Sequence, residues 1–251
     1  MKFIVTLSVA LFFNLSATAQ KASQQSKWPT FLQKNDLPDV TRFIPIPPDT
    51  SSIAYLNDFN RYQWGKSMRH TSRGQQAVFD AFVEADSVLK GFSEAFGMPI
   101  TRTTTPEIFT LMERVENDGS QSVRSAKKKY ARKRPYVQFN EPTGVPYEEE
   151  ALRNTGSFPS GHTARGWAMA LVLAEINPAQ QDAILERGYQ YGESRVIVGY
   201  HYQSDVDAAR IAASAVVARL HTDEGFIRQL AKAKKEFQKL SKSNKLNKVF
   251  V

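Results

Sequence analysis

The chain has 251 residues, 33 Lys and Arg against 25 Asp and Glu, a formal charge of +8, and no cysteine. Without thiols there can be no disulfide, no thiolate catalysis, no Cys-ligated metal and no lipid anchor on cysteine. The excess charge does not describe a nucleic-acid surface, because residues 226–251 carry eight basic side chains against Glu236 alone, and the chain between Lys2 and this tail is balanced.

Residues 1–19, "MKFIVTLSVALFFNLSATA", join Lys2 to an apolar run and small residues at 17 and 19, the pattern of an export signal cleaved after Ala19. No later apolar run approaches spanning length, so no transmembrane segment is expected after cleavage, and the product should be periplasmic or secreted. The remaining 232 residues suffice for one domain with its own core. Residues 20–60 contain Pro29, Pro38, Pro45, Pro47 and Pro48 and predict an irregular N-terminal arm, with short helical turns at most, packing on the body. Residues 61–225 form the expected domain body, and 226–251 a basic C-terminal helix or tail, read as solvated or frayed, with adhesion to an anionic surface as the sharper alternative.

Helical periodicity begins at Gly74, where Val78, Phe82, Ala85, Leu89 and Phe92 recur at steps of three and four. "TPEIFTLMERVEND" predicts the next helix, with Thr105 as cap and Pro106 in the first position. "SQSVRSAKKKYARKRP" is helix-compatible until Pro135, and 136–158 is a connection. After Gly161, "WAMALVLA" is apolar nearly all round and predicts a central buried helix. Another helix starts at Pro178 and runs toward Arg195. "VIVGYHYQ" is the one strand-like stretch, too short to argue a sheet. "SDVDAARIAASAVVARL" predicts a final body helix opened by a Ser204–Asp207 capping box. With no repeat and no alternating strand pattern, the fold class is all-α.

Three pieces of chain carry chemistry-bearing residues. Taken singly, each has a bland reading. "KKKYARKRP" is a basic run of the kind that is usually solvated. "PSGH" (159–162) is a turn into a helix. "SRVIVGYHYQSD" (194–205) holds His201, which could be an ordinary partly buried histidine. Together they read Lys127-x6-Arg134-Pro135, then Pro159-Ser160-Gly161-His162, then Ser194-Arg195-x5-His201-x3-Asp205. Residues 136–158 and 163–193 separate the three pieces.

This order resembles the tripartite signature shared by bacterial non-specific acid phosphatases, type 2 phosphatidic acid phosphatases and vanadium haloperoxidases, and every fixed position is filled. The wording over 120–220 is similar to the class A non-specific acid phosphatases in particular; the N-terminal arm and basic tail lie outside the likeness. The resemblance implies a compact helical domain of the acid phosphatase/vanadium haloperoxidase type and a homodimer or larger homo-oligomer. It also implies an exported phosphatase acting on small phosphate monoesters such as nucleotides, sugar phosphates and aryl phosphates.

The residue chemistry runs alongside. Phosphoryl transfer asks mainly for position and for cations around three equatorial oxygens. Lys127 offers a point charge, Arg134 and Arg195 planar forks, and Ser160 and Gly161 a hydroxyl and backbone N–H groups at a helix mouth. A second helix mouth at Ser204 would add a further positive end. Asp205 would hold the Nδ1 proton of His201 across one helical turn, leaving Nε2 as nucleophile for a phosphohistidine intermediate. His162 would protonate the leaving alkoxide and later deprotonate water. A bound dianion would favour protonated His162 and hence activity on the acid side of neutrality.

No cofactor or metal is required, and His70 and His221 lack partners at metal spacing. Transfer of the phosphoryl group to alcohols is an expected side activity. Two alternatives remain: a vanadium-dependent haloperoxidase using the same oxyanion cage, and a non-catalytic anion-binding module.

Overall fold

The computed structural model describes residues 29–249, with side chains described through 243; the expected export signal lies outside this range. The described residues form helices and irregular segments and no strand, an all-α fold. Two single 3₁₀ turns, Lys34–Asp36 and Val40–Arg42, precede α1 (Ile53–Met68). The irregular stretch therefore ends earlier than residue 60. The prolines stop at Pro48, and the Ser52 hydroxyl caps the new helix by accepting from the Tyr55 N–H at 3.2 Å.

The single helix expected from Gly74 onward is two helices, α2 (Ser72–Phe79) and α3 (Ala85–Phe96), separated by Asp80–Glu84. Leu89 and Phe92 are buried as their spacing implies, but Val78 and Phe82 are exposed. The break lets the buried Asp80 turn inward, which a continuous helix would not do.

Helix α4 (Pro106–Ser122) begins at its proline, yet Thr105 does not cap it. The Thr105 hydroxyl instead accepts from the Thr101 N–H and donates to the Thr101 carbonyl. Glu236, far along the chain, takes the capping part by accepting from the N–H groups of Glu107 and Ile108. The Asn117–Gly119 stretch does not break α4, because Asn117 and Asp118 are satisfied within the fold. Asp118 accepts from the N–H groups of Phe31 and Leu32 and anchors the proline-rich segment against α4.

Short helices α5 (Arg124–Tyr130), α6 (Pro135–Phe139) and α7 (Glu149–Leu152) follow, and Pro135 opens a helix where a stop was expected. Then come α8 (Gly161–Ile176), α9 (Gln181–Ile197), α10 (Gln203–Leu220) and α11 (Glu224–Val249). Helix α8 is the axis of the molecule and packs against α4, α9 and α10. Small residues make those crossings close. A Cβ on Gly119 would sit 2.8 Å from the Ala164 carbonyl, and one on Gly166 would collide with the Tyr191 ring.

The strand-like "VIVGYHYQ" is the end of α9 and a turn. Gly199, with φ of 90°, reverses the chain there, a conformation that favours glycine. The basic tail is helical, and it is not simply solvated. Phe226, Leu230 and Ala233 are buried, and Phe226 meets Phe31 edge-on at 5.5 Å.

Candidate active site

The three motif pieces lie on different elements and are tied to one another directly. Lys127 sits in α5, which ends at Ala131 in a left-handed conformation, so that Arg134 follows as the extended residue before α6. Its ammonium donates to the carbonyls of Gly156 and Ser157 at 2.8 and 3.2 Å, joining the first piece to the second. The Ser160 N–H donates to the Asp205 carbonyl at 2.9 Å, joining the second to the third. Arg134 Nη1 donates to the Tyr200 carbonyl and stands 3.2 Å from His201 Nε2, joining the first to the third. At the end of α9 the Arg195 carbonyl accepts from the N–H groups of both Tyr200 and His201, which fixes the fork and the imidazole to one turn.

Three cations thus share one buried region. Burial, with Arg134 and Arg195 nearby, pushes the Lys127 ammonium down to about 7. Burial and Arg195 bring the Arg134 guanidinium down to about 10. Arg195 spends Nη2 on Glu148 at 3.3 Å, while its Nε and Nη1 are buried without a partner. Among the described residues Arg69, Arg73, Arg165 and Arg210 each leave one buried guanidinium nitrogen unpartnered, whereas Arg195 leaves two, and these lie near Lys127 and Arg134.

Both histidines are held neutral in the ligand-free protein. Burial lowers His162 well below its ordinary range, with Arg195 and Arg165 adding to the effect. Burial, Arg134 and Lys127 do the same to His201. A guanidinium can only donate, so Arg134 facing His201 Nε2 puts the imidazole proton on Nδ1, 3.3 Å from Asp205 Oδ2. The tautomer expected from the sequence is the one this arrangement favours. Its basis differs slightly: His201 precedes the helix, and Asp205 reaches back from the first turn of α10 while also accepting from the Tyr202 N–H at 2.9 Å. The Ser204–Asp207 capping box does not form. Asp205 satisfies the N-terminus instead, and the Ser204 N–H and hydroxyl donate to Asp58 at 2.8 and 2.6 Å.

His162, in the first turn of α8, stacks on Tyr191 at 4.3 Å with the rings 11° apart, and its Nε2 has no partner. The close passage at Gly166 is what allows Tyr191 to reach that position. Ser160 is the cap of α8: its hydroxyl oxygen accepts from the Thr163 N–H and hydroxyl at 3.2 and 2.9 Å. Both bonds use its lone pairs and leave the hydroxyl proton for a ligand. A Cβ on Gly161 would rest at ordinary contact distance, 3.6 Å, from Lys127 Cε.

Several supporting residues were not legible beforehand. Arg132, in the same basic run as Lys127, donates to Asp205 Oδ1 and Asp58 Oδ2, both at 2.7 Å, and lies over the Tyr202 ring. Asp58 lies in the stretch expected to be irregular. Ser194 turns away from the cations and donates to Asp80 at 2.6 Å; Asp80 also pairs with Arg187. The crowded basic run was the one available signal for Arg132. Nothing local marked Asp58 or Asp80.

The three pieces thus meet in one region of an all-α domain, and the PAP2 superfamily model matches residues 119–226, which span all of them. The chain is similar to the non-specific acid phosphatase of Providencia stuartii, 51% identical over 213 residues, covering 84% of this chain and 86% of that one. The non-specific acid phosphatase of Salmonella typhimurium is 40% identical over 207 residues, 82% of each chain. An acid phosphatase of Zymomonas mobilis is 35% identical over 201 residues, 80% of this chain and 76% of that one. The chain belongs to the class A non-specific acid phosphatases of the PAP2 superfamily.

Proposed function

We propose that the protein is an exported, metal-independent acid phosphatase that hydrolyses small phosphate monoesters, among them nucleotides, sugar phosphates and aryl phosphates, through a phosphohistidine. One observation carries the reading: Arg195 Nε and Nη1 and His162 Nε2 are buried and unpartnered in a cluster that also holds Lys127, Arg134 and His201. An oxyanion would satisfy the donors and relieve the mutual repulsion of the cations. The relatives named acid phosphatases support the same activity. Among the described residues no helix is long and apolar enough to cross a membrane.

In this reading Lys127, Arg134, Arg195, the Ser160 hydroxyl and the Gly161 N–H hold the phosphoryl oxygens. His201 Nε2 attacks phosphorus while the bond to the leaving oxygen breaks, and His162 gives that oxygen its proton. Water then attacks the phosphohistidine, His162 takes its proton, and Nε2 leaves with the imidazole restored. An alcohol in place of water would accept the phosphoryl group, which is the expected transferase side activity. Assembly as a homodimer or larger oligomer is carried from the family likeness.

The test is release of phosphate from p-nitrophenyl phosphate at acid pH with excess chelator present. Undiminished turnover is expected. Halide oxidation on added vanadate, with no ester hydrolysis, would replace the reading by the haloperoxidase one.

The shifted Lys127 makes a second prediction. Below about pH 7 it is protonated with or without ligand; above that the free protein has lost the proton, and a bound dianion draws one back. Affinity for tungstate, a dianion throughout, should therefore fall up to about tenfold per pH unit above 7. Proton uptake on binding, measured by calorimetry in two buffers, checks it, and Lys127→Arg should remove the break. A flat profile in the unsubstituted protein would mean that Lys127 stays charged.

A further inference from the structure

The break between α2 and α3 does more than turn Asp80 inward. The Asp80 carbonyl faces the His162 imidazole, and Val83 accepts from Arg165 at 2.7 Å, so Asp80–Glu84 is held along the His162 side of the site. On that segment Phe82 is 44% exposed. Across from it stands Tyr147, 64% exposed, its ring 6.4 Å from that of Phe82 and 27° from parallel. Tyr147 adjoins Glu148, the residue bonded to Arg195, and its hydroxyl feels the charges of Glu148, Arg195 and Glu84. Two large aromatic faces therefore stand in solvent beside the phosphate-binding fork. They are tied to the site through Glu148, which holds Arg195, and through the Asp80 backbone at His162.

Exposed aromatic rings held by neighbouring backbone offer a planar ligand a large apolar contact at little entropic cost. The two carboxylates beside them, Glu84 and Glu148, repel anions outside the cation cluster. Neither feature helps bind the phosphoryl group itself. Both act on what is attached to it.

We propose that Phe82 and Tyr147 form a subsite for the leaving group, selecting phosphate monoesters whose leaving group is aromatic and uncharged, with Glu84 and Glu148 disfavouring leaving groups that carry negative charge. This rests on the phosphatase reading above and adds its specificity. Glu148 contributes twice, since the carboxylate that repels an anionic leaving group also aligns Arg195 through Nη2.

The experiment compares kcat/KM for phenyl phosphate, adenosine 5′-monophosphate and glycerol phosphate in the unsubstituted protein, Phe82→Ala and Tyr147→Ala. Both side chains are exposed, so the variants should fold. The expected result is a roughly five- to tenfold loss for at least one aromatic ester in each variant, with glycerol phosphate changed less than about twofold. Which aromatic ester falls reports whether the ring sits next to the ester oxygen or one sugar further out. Glu84→Gln should raise kcat/KM for 4-carboxyphenyl phosphate relative to phenyl phosphate several-fold.

Equal losses on all three esters, or none, would overturn the subsite, as would an unchanged carboxyphenyl ratio for the charge selection. If the unsubstituted protein turns over none of the esters, the phosphatase reading fails instead, which keeps the two failures apart.

Discussion

Replacing His201 by alanine should lower turnover of p-nitrophenyl phosphate by roughly 10⁴- to 10⁶-fold while leaving tungstate affinity within a few-fold. The split follows from the geometry. His201 Nε2 faces Arg134, so the imidazole stands at the edge of the cation cluster and is the nucleophile in the proposed chemistry. The groups proposed to hold the oxyanion are elsewhere: the Lys127 ammonium on the Gly156 and Ser157 carbonyls, and the Arg195 fork aligned by Glu148. Arg134 keeps its bonds to Tyr200, Leu152 and Thr155 when the imidazole is gone, so the cage should persist. Rapid quench with labelled substrate should trap an alkali-stable, acid-labile phosphoprotein in the unsubstituted protein and none in the variant. Retention of even a tenth of the activity would remove His201 from the nucleophile's role.

Asp205→Asn is the second large effect, a kcat loss of about 10³- to 10⁴-fold with little change in oxyanion binding. Asp205 accepts from Arg132 on Oδ1 and from the Tyr202 N–H and His201 Nδ1 on Oδ2. An asparagine has one acceptor where the carboxylate has two, and the Arg132 guanidinium demands it. The amide NH₂ is then left facing the Nδ1 proton of His201 while Arg134 still faces Nε2, so the attacking tautomer loses its partner at Nδ1 and its population falls. The fold pays about 1–3 kcal/mol for the mismatched donors, visible as a lowered Tm. Proton NMR separates the two consequences: the Nδ1 proton signal of the unsubstituted protein should vanish in the variant even where the fold is intact. A variant with full kcat would show that Asp205 orients the turn and does not set the tautomer.

The structure adds a second group to the pH dependence expected from His162. Acid-side activity was expected because a dianion favours protonated His162. In the ligand-free protein burial and Arg195 lower His162 well below its ordinary range, and of the three clustered cations it is Lys127 that burial brings down to about 7. Both effects have the same sign, since each couples oxyanion binding to proton uptake. In the proposed site Lys127 would set where the loss of affinity on the alkaline side begins.

The residue types at the site were readable from the chain because phosphoryl transfer has narrow demands. Cations, a nucleophilic imidazole, a proton carrier and a carboxylate recur in a fixed order, and the motifs carry that order in short segments where spacing is preserved by local geometry. The all-α class and the buried helix after Gly161 were likewise legible, since an apolar helix with small residues has few other places to go. Local sequence could not decide which face each segment presents to the others. Asp58 and Asp80 look like ordinary surface carboxylates until α1 and the α2–α3 break bring them against Arg132 and Arg187. Thr105 looks like a cap until Glu236, from the other end of the chain, satisfies the same N–H groups. Phe82 has the spacing of a core residue and yet lies in solvent opposite Tyr147. Hydrogen bonds and charges are satisfied by whichever partner tertiary packing delivers, so the supporting residues belong to the folded molecule, while the motif residues of the candidate site were written in the chain.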